Sequence, residues 1–323
     1  MAQIGINFTD PVYRGSYHDK QVHHEDLDKV IQRAVKVGVK KFMVTGSDLE
    51  ESKKAIEIAR AYRKSRDPSP PACMIELTVP AGQCYATVGV HPCTAKSFID
   101  HPSGPSDLLN QVRDLATTAS QAGHAVAFGE FGLDYDRLFL TPKDIQLTYF
   151  EKQLDLAVEL QLPLFLHSRA AASDFERLLK PRLPHLPKGG LVHSFTGTLD
   201  EMRRLVELGL DIGVNGCSLK SEENLAVVKE IPLERLQLET DGPWCEIRAS
   251  HASAKMLEGS PEMPKAVKKE KWTREYMVKG RNEPCAIALV AHVVARVKGV
   301  RVEEVTEAAW RNSVRMFGLG EVV

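Results

Sequence analysis

The sequence predicts an α/β protein of the TIM-type (β/α)8 barrel class, folded as a single domain over residues 1–323. Short apolar segments alternate with longer amphipathic segments along the chain, a pattern typical of parallel strands joined by right-handed helical crossovers. Eight such units favour a closed barrel over an open sheet. Neither a G-x-G-x-x-G motif after the first strand nor a Walker-A sequence is present, which disfavours an open nucleotide-binding sheet.

Each predicted strand is a short apolar run. In chain order these runs cover residues 4–8, 41–45, 84–90, 125–129, 163–167, 190–193, 211–214 and 235–240. Segments with apolar residues three and four apart are predicted as helices between them, most clearly "EESKKAIEIARAYRK" and "YFEKQLDLAVELQ", and more helix is expected after the last strand. Two segments interrupt the alternation and are predicted as insertions, a proline-rich one at about 66–83 and a lysine-rich one at about 245–281.

Composition and charge narrow the class of protein. The formal net charge is −1, so nucleic-acid binding would depend on a local basic patch. No stretch approaches the ~18 apolar residues of a membrane span, and the N-terminus lacks the basic and apolar regions of a secretory signal. We therefore expect an intracellular monomer without membrane contact, in the cytoplasm, the nucleus or both. The six cysteines form no C-x-x-C pair and are expected to be reduced thiols.

Polar residues stand at the ends of several predicted strands, where the active site of a parallel barrel lies. Glu130 follows the fourth strand, His167 and His193 end the fifth and sixth, and Asp241 follows the eighth. Imidazoles and carboxylates are ligands of divalent metals, and neighbouring carboxylates repel unless a cation lies between them. These four residues are therefore predicted to form a metal site, in which Glu130 could bridge two ions.

Other strand-end residues leave alternatives open. His91, which precedes Pro92, could be a further metal ligand, could cap a turn or could contact substrate. Asn7 and Asp10 could contact metal or substrate, or serve only turn chemistry. Glu239 shares a strand face with Asp241 and lies one layer deeper, so it could orient a ligand or be a buried carboxylate paired with a lysine or histidine.

Seven motifs together resemble a known family. "GINFTDP", "GVHP", "GEFGLDY", "LFLHSR", "VHSFTG", "ETDGPW" and "RNEP" stand in the order found in TatD-type deoxyribonucleases, especially the eukaryotic members. The resemblance extends from Ile4 to about Phe317. It implies a metal-dependent hydrolase barrel that cleaves DNA with 3′-to-5′ exonuclease and sometimes endonuclease action. It also implies the ligands Glu130, His167, His193 and Asp241.

One departure concerns the metal. Many proteins of the wider superfamily carry an H-x-H pair after the first strand, whereas this chain reads "NFT" at residues 7–9. The TatD branch commonly lacks the pair, but its absence removes two ligands from one metal position. We expect one or two divalent ions, with Mg²⁺ preferred and Mn²⁺ or Zn²⁺ as alternatives.

Mechanistic roles follow as hypotheses. Glu130 or Asp241 would accept the proton of a metal-activated water, and His91 would hold a phosphate oxygen or the leaving group. The cationic Arg169 and Arg281 suit bidentate phosphate contact. In the lysine-rich insertion, basic and aromatic residues would bind DNA, preferably single strands or 3′ ends, or else form only a solvated loop: Lys268, Lys269, Lys271 and Trp272.

Two other functions remain compatible with the same barrel. One is a metal-dependent deacylase that removes D-amino acids from tRNA, using the same metal site on an ester. The other is a non-catalytic partner in DNA repair or DNA degradation.

Overall fold

Eight parallel strands form the centre of the fold. The computed structural model describes residues 1–63 and 84–320, so the insertion predicted at 66–83 lies outside the described residues. The strands follow one another in space in chain order: β1 (Ala2–Ile6), β2 (Lys41–Val44), β3 (Cys84–Val88), β4 (Ala125–Asp134), β5 (Leu164–Arg169), β6 (Gly190–Val192), β7 (Asp211–Val214) and β8 (Leu236–Leu238).

Backbone hydrogen bonds just beyond β8 close the sheet. The N–H of Asp241 donates to the carbonyl oxygen of Gly5 over 3.0 Å, and the N–H of Asn7 donates to that of Gly242 over 2.9 Å. The eight strands therefore form a barrel, as the sequence predicts.

Helices occupy every connection between the strands and follow the last one. Within the described residues they are α1 (Leu27–Lys36), α2 (Leu49–Arg63), α3 (Ser97–Asp100), α4 (Pro105–Gln121), α5 (Lys143–Leu160), α6 (Ala172–Leu179), α7 (Leu199–Glu207), α8 (Glu222–Glu230), α9 (Ile287–Lys298) and α10 (Val302–Phe317). Side-chain caps at Thr198 and Ser221 begin α7 and α8, and left-handed glycines end α9 and α10. None of these helices is long and apolar enough to cross a membrane.

The barrel interior is closed at one end. Phe317 at the end of α10 and Leu319 just after it are buried against residues from the beginnings of several strands. Their neighbours in this cluster are Ala2, Ile4, Met43, Tyr85, Ala127, Phe165, Leu191 and Val314. The polar residues of the site lie at the opposite end of the barrel, where the strands end.

The fourth strand is longer than predicted. β4 continues to Asp134, and its pairing with β5 shifts register between Gly129 and Phe131, so Glu130 is the extra residue of a β-bulge. Gly132 has φ of +154°, and a Cβ there would lie 1.8 Å from the carbonyl oxygen of His167. Glu130 therefore lies within a strand, at a bulge next to His167, and does not follow the strand as predicted.

The lysine-rich insertion lies between β8 and α9 and packs against the segment after β1. Its two-residue strands Ala266–Val267 and Met277–Val278 pair in parallel. Arg274 and Asp28 form an ion pair of 2.6 Å between the insertion and α1. The insertion is thus held to the same end of the barrel as the strand termini.

Candidate active site

Three imidazoles converge on one carboxylate oxygen at the open end of the barrel. Oε1 of Glu130 lies 2.8 Å from Nδ1 of His167, 2.9 Å from Nε2 of His193 and 3.3 Å from Nε2 of His91. The strand ends thus bring together residues that are up to 102 positions apart, from 91 to 193. All four side chains are buried or nearly so.

Two further carboxylates contact two of these histidines, each on the ring nitrogen that does not face Glu130. Nδ1 of His193 is 2.9 Å from Oε2 of Glu239, and Nε2 of His167 is 3.2 Å from Oδ2 of Asp134. The rings of His167 and His193 therefore each have one nitrogen close to Glu130 and the other nitrogen held by a second carboxylate. A carboxylate on the second ring nitrogen is common in histidines that ligate metals. Glu239 is therefore a buried carboxylate paired with a histidine, as one of the two predicted alternatives has it, and its role in orienting a metal ligand stays a prediction. Asp134 was not among the predicted site residues, although "GEFGLDY" holds this second carboxylate.

Glycines make the space for Glu239. A Cβ on Gly213 in β7 would lie 1.7 Å from Oε1 of Glu239, and a Cβ on Gly5 in β1 would lie 3.2 Å from its Oε2. The backbone N–H of Ser194 also donates to Oε1 over 3.1 Å. The similar "IGIN" and "IGVN" segments of β1 and β7 thus leave room for a buried carboxylate between them.

His91 has a defined tautomer in its neutral form. Its Nδ1 accepts the backbone N–H of Cys93 over 3.0 Å, which caps the 3₁₀ helix Pro92–Thr94. Nε2 must then carry the proton, and it lies 3.3 Å both from Oε1 of Glu130 and from Nδ1 of His167. His91, Glu130 and His167 are close enough to hold an ion, but this tautomer suits His91 as a donor and not as a ligand. The capping role is confirmed, and the substrate contact stays a prediction.

Asp241 stands just beyond β8 in a left-handed conformation, with φ of 53°. Its Oδ1 accepts the Asn7 amide over 3.0 Å, and its Oδ2 accepts the Cys245 thiol over 3.4 Å. Asn7 therefore contacts a predicted metal ligand. The turn chemistry of Asp10 is confirmed, since its carboxylate accepts the N–H of Val12 over 2.9 Å, and its contact with metal or substrate stays a prediction.

At Glu130 and His193, neighbouring charges and burial shift the pKa in opposite directions. Burial alone would raise the pKa of Glu130, but His193 and the other surrounding imidazoles hold that pKa well below its usual range. Burial would lower the pKa of His193, but Glu130 and Glu239 outweigh it and raise that pKa well above its usual value. Burial raises the pKa of Asp241 and of Glu239. A divalent cation would replace the imidazole protons that balance these carboxylates.

The two predicted arginines differ in their surroundings. Arg169 is the last residue of β5, two residues after His167. Within the described residues, its side chain makes one hydrogen bond, a long one of 3.4 Å to the carbonyl oxygen of Ser194. Arg281 is buried, with both terminal nitrogens bound to Asp26 at 2.7 and 2.6 Å and one of them also bound to Glu283 at 2.9 Å. The predicted phosphate contact of Arg281 is therefore wrong, because the guanidinium is buried and both of its terminal nitrogens are used in an internal ion-pair network.

Arg137, a cation at the open end of the barrel, was not predicted from the sequence. Arg137 lies on the 3₁₀ helix Tyr135–Arg137 directly after β4, and its half-exposed side chain places Nε 3.9 Å from Oδ2 of Asp134. Its position three residues after Asp134 in "GLDYDR" was the available signal.

A cavity of about 570 Å³ lies beside the ends of β1 and β8. Its lining includes Asp10, Tyr17, Trp244, Lys268, Lys269 and Lys279. Trp244 is 58% exposed. Among the described residues, Lys271 and Trp272 lie outside this lining, and one face of the Trp272 ring is covered by His23, with ring centroids 4.4 Å apart. The predicted basic and aromatic surface is thus divided between this cavity and the outer side of the insertion.

Comparisons with known proteins agree with the predicted family and with the barrel fold. A family model described as "TatD related DNase" matches residues 72–318. The protein named Deoxyribonuclease Tat-D from Schizosaccharomyces pombe is 50% identical over 97% of this chain and 94% of its own length. The 3′-5′ ssDNA/RNA exonuclease TatD of Erwinia amylovora is 32% identical over 99% of this chain and 100% of its own length. The crystal structure of an uncharacterized amidohydrolase from Saccharomyces cerevisiae superimposes with a TM-score of 0.85, at 37% identity over 98% of this chain and 99% of that one.

Proposed function

The chain belongs to the family of TatD-related DNases, a family of phosphodiester hydrolases, and on that premise we propose that it is a divalent-metal-dependent 3′-to-5′ deoxyribonuclease. The observation that carries the proposal is the convergence of three imidazoles on Glu130, with Asp134 and Glu239 behind two of them. Buried groups of both charges at the open end of a barrel are suited to hydrolysis and give no packing advantage.

The donor set fits a divalent ion. Glu130, His167, His193 and Asp241 would hold it, because each offers an oxygen or nitrogen at the open end of the barrel. Two of these four are carboxylates, which supports Mg²⁺ first and Mn²⁺ or Zn²⁺ as alternatives. An ion held there would lower the pKa of a water molecule and polarise the phosphodiester.

The chain's own residues divide the remaining work. Asp241 would accept the proton of the attacking water, since its carboxylate lies at the open end of the barrel, beside the place where the ion and its water would be held. His91 would donate its Nε2 proton to a phosphate oxygen or to the leaving oxygen. Arg169 has guanidinium donors left for a phosphate beyond the long bond to Ser194.

The cavity beside β1 and β8 supports a single-stranded or frayed substrate. Lys268, Lys269 and Lys279 supply positive charge for a phosphate backbone, and the exposed Trp244 ring can stack an unpaired base. A strand that lies in this cavity would lead its 3′ end towards Asp241, which precedes Trp244 by three residues.

The test is cleavage of 5′-labelled oligonucleotides, single- and double-stranded, in Mg²⁺ and in EDTA. We expect a Mg²⁺-dependent ladder of 3′-shortened products, which Glu130→Gln and Asp241→Asn abolish. Glu246→Gln is the matched control, because Glu246 is exposed on the same loop as Asp241 and should leave the ladder unchanged. A closed circular single strand tests for endonuclease action, since only internal cleavage can open it.

The outcome that overturns the proposal is equally specific. A folded, metal-loaded protein that leaves all oligonucleotides intact is not a deoxyribonuclease. Hydrolysis of D-aminoacyl-tRNA by that same preparation would move the assignment to an ester deacylase. Lack of both activities would favour a non-catalytic partner.

A further inference from the structure

Two thiols from distant parts of the chain meet beside Asp241. Sγ of Cys217, in the loop after β7, lies 2.8 Å from Sγ of Cys245, in the loop after β8. Both side chains are half-buried, whereas Cys84 and Cys285 are buried in the core. We infer that Cys217 and Cys245 form a dithiol site that closes reversibly to a disulfide and so changes the hydrogen bonding of Asp241.

Main-chain contacts hold the two cysteine-bearing loops next to each other. A Cβ on Gly216 would lie 2.0 Å from the carbonyl oxygen of Cys245, so the two loops touch directly through their main chains. The N–H of Ala252 donates to the carbonyl oxygen of Lys220 over 2.9 Å, and the N–H of Cys217 donates to the Asn215 side chain over 2.9 Å. With both loops fixed, closing the sulfurs to the roughly 2.05 Å of a disulfide requires mainly side-chain rotation.

The dithiol reaches Asp241 through one hydrogen bond. Cys245 donates its thiol proton to Oδ2 of Asp241 over 3.4 Å, while the Asn7 amide binds the other carboxylate oxygen over 3.0 Å. A disulfide has no proton to donate. Within the described residues, oxidation therefore removes one of the two side-chain hydrogen bonds to the Asp241 carboxylate and leaves the one from Asn7.

The chemistry balances with a small disulfide such as oxidised glutathione as the oxidant. The thiolate of one cysteine attacks this disulfide, forming a mixed disulfide and releasing one glutathione thiol. The thiolate of the second cysteine attacks the mixed disulfide and releases the second glutathione. Two protein thiols are oxidised, and one glutathione disulfide is reduced to two thiols.

The test treats the whole metal-loaded protein with oxidised glutathione, alkylates the remaining thiols under denaturing conditions, and maps peptides by mass spectrometry. We expect the peptides of Cys217 and Cys245 to be linked, and dithiothreitol to separate them. Turnover on an oligonucleotide should fall by roughly three- to tenfold, as for the loss of one weak hydrogen bond to a charged group, and should recover on reduction. Mg²⁺ affinity, measured by calorimetry, should weaken in parallel.

Two variants serve as controls. Cys217→Ser cannot form the intramolecular disulfide but leaves Cys245 against Asp241, so its basal turnover should persist, and after oxidised glutathione its peptide map should show Cys245 linked to no other protein cysteine. Cys93→Ser removes another half-buried thiol and should leave the Cys217–Cys245 linkage intact.

The claimed effect on turnover rests on the proposed nuclease function, whereas the linkage does not. Quantitative alkylation of Cys217 and Cys245 after oxidation would overturn the dithiol site. A complete disulfide with unchanged turnover and unchanged Mg²⁺ affinity would overturn its connection to Asp241. A protein inactive in both redox states would instead count against the nuclease, and the peptide map and the Mg²⁺ affinity would still decide this inference.

Discussion

Glu239 fixes the ring of His193: Oε2 of the glutamate lies 2.9 Å from Nδ1 of the histidine, and neither side chain is more than 3% exposed. The other ring nitrogen is 2.9 Å from Glu130. His193 therefore cannot turn without breaking a buried charge-assisted hydrogen bond. The orientation of the His193 ring therefore depends on Glu239 as well as on Glu130.

Glu239→Gln should weaken divalent-metal binding by about 10- to 100-fold, because a neutral amide orients and polarises the His193 ring less strongly than a carboxylate. Titration calorimetry with Mg²⁺ or Mn²⁺ measures the effect directly. Glu246→Gln, on an exposed loop, is the control for loss of one negative charge. Equal metal affinity in Glu239→Gln and wild type would show that Glu239 has only a packing role.

Gly213→Ala, on the neighbouring strand β7, should reproduce this loss of metal affinity. Its Cβ would overlap Oε1 of Glu239 at 1.7 Å, so the carboxylate must move away from His193. Because both changes disturb the same hydrogen bond, the double variant Gly213→Ala/Glu239→Gln should bind metal about as weakly as the weaker-binding single variant. Calorimetry on the four proteins measures this coupling, and additive effects would mean that Gly213 acts elsewhere.

Much of the fold could be predicted because periodicity and alternation are local properties. Residues 211–214 were predicted as a strand and form β7 with the same bounds. The end of β4 could not be predicted in the same way. There, Glu130 enters a bulge that depends on its pairing with β5 and on the close approach of Gly132 to His167, neither of which the local sequence contains.

The sequence predicted which residues converge where strand ends alone decide position, and it failed where a partner is distant in the chain; the metal-binding role of the converging residues stays a prediction. His167 and His193 meet Glu130 because barrel strands end at one rim. The principal partner of Arg281 is Asp26, 255 positions away, so its sequence context could not distinguish a phosphate ligand from an internal ion pair. The contact between Cys217 and Cys245 depends in the same way on the packing of two loops.

The lysines that line the cavity beside β1 and β8 should set the salt dependence of single-stranded DNA binding. Neutralising Lys268, Lys269 and Lys279 to glutamine should flatten the slope of log affinity against log salt by about 0.7 for each phosphate that the protein no longer neutralises. Fluorescence anisotropy with a labelled oligonucleotide and a metal-free, non-cleaving Glu130→Gln background measures this slope. Lys271→Gln is the matched control, since Lys271 is exposed on the same insertion but does not line the cavity. An equal slope change from Lys271→Gln alone would place the DNA on the outer side of the insertion.

Asp174 should make the free energy of unfolding depend on pH in the acidic range. Its carboxylate is bound by Lys143 at 2.8 Å, by Tyr135 at 2.8 Å and by Arg177 at 2.9 Å, and these contacts, that of Lys143 foremost, lower its pKa. A carboxylate with a folded pKa below its unfolded value of about 3.9 contributes stability that is fully present above that value. The contribution is lost as the pH falls through the lower, folded pKa.

Asp174→Asn should therefore reduce the free energy of unfolding by about 1 kcal/mol at pH 7, a modest amount because the side chain is 22% exposed and partly screened. The gap between variant and wild type should narrow as the pH falls from about 4 towards 2, because the wild-type carboxylate then becomes neutral as well. Urea unfolding at several pH values measures both quantities. Asp114→Asn, an exposed change on α4, should show no such gap at any pH. A gap that stays constant into acid would mean that Asp174 stabilises the α6 terminus through shape and hydrogen bonding alone, independent of its charge.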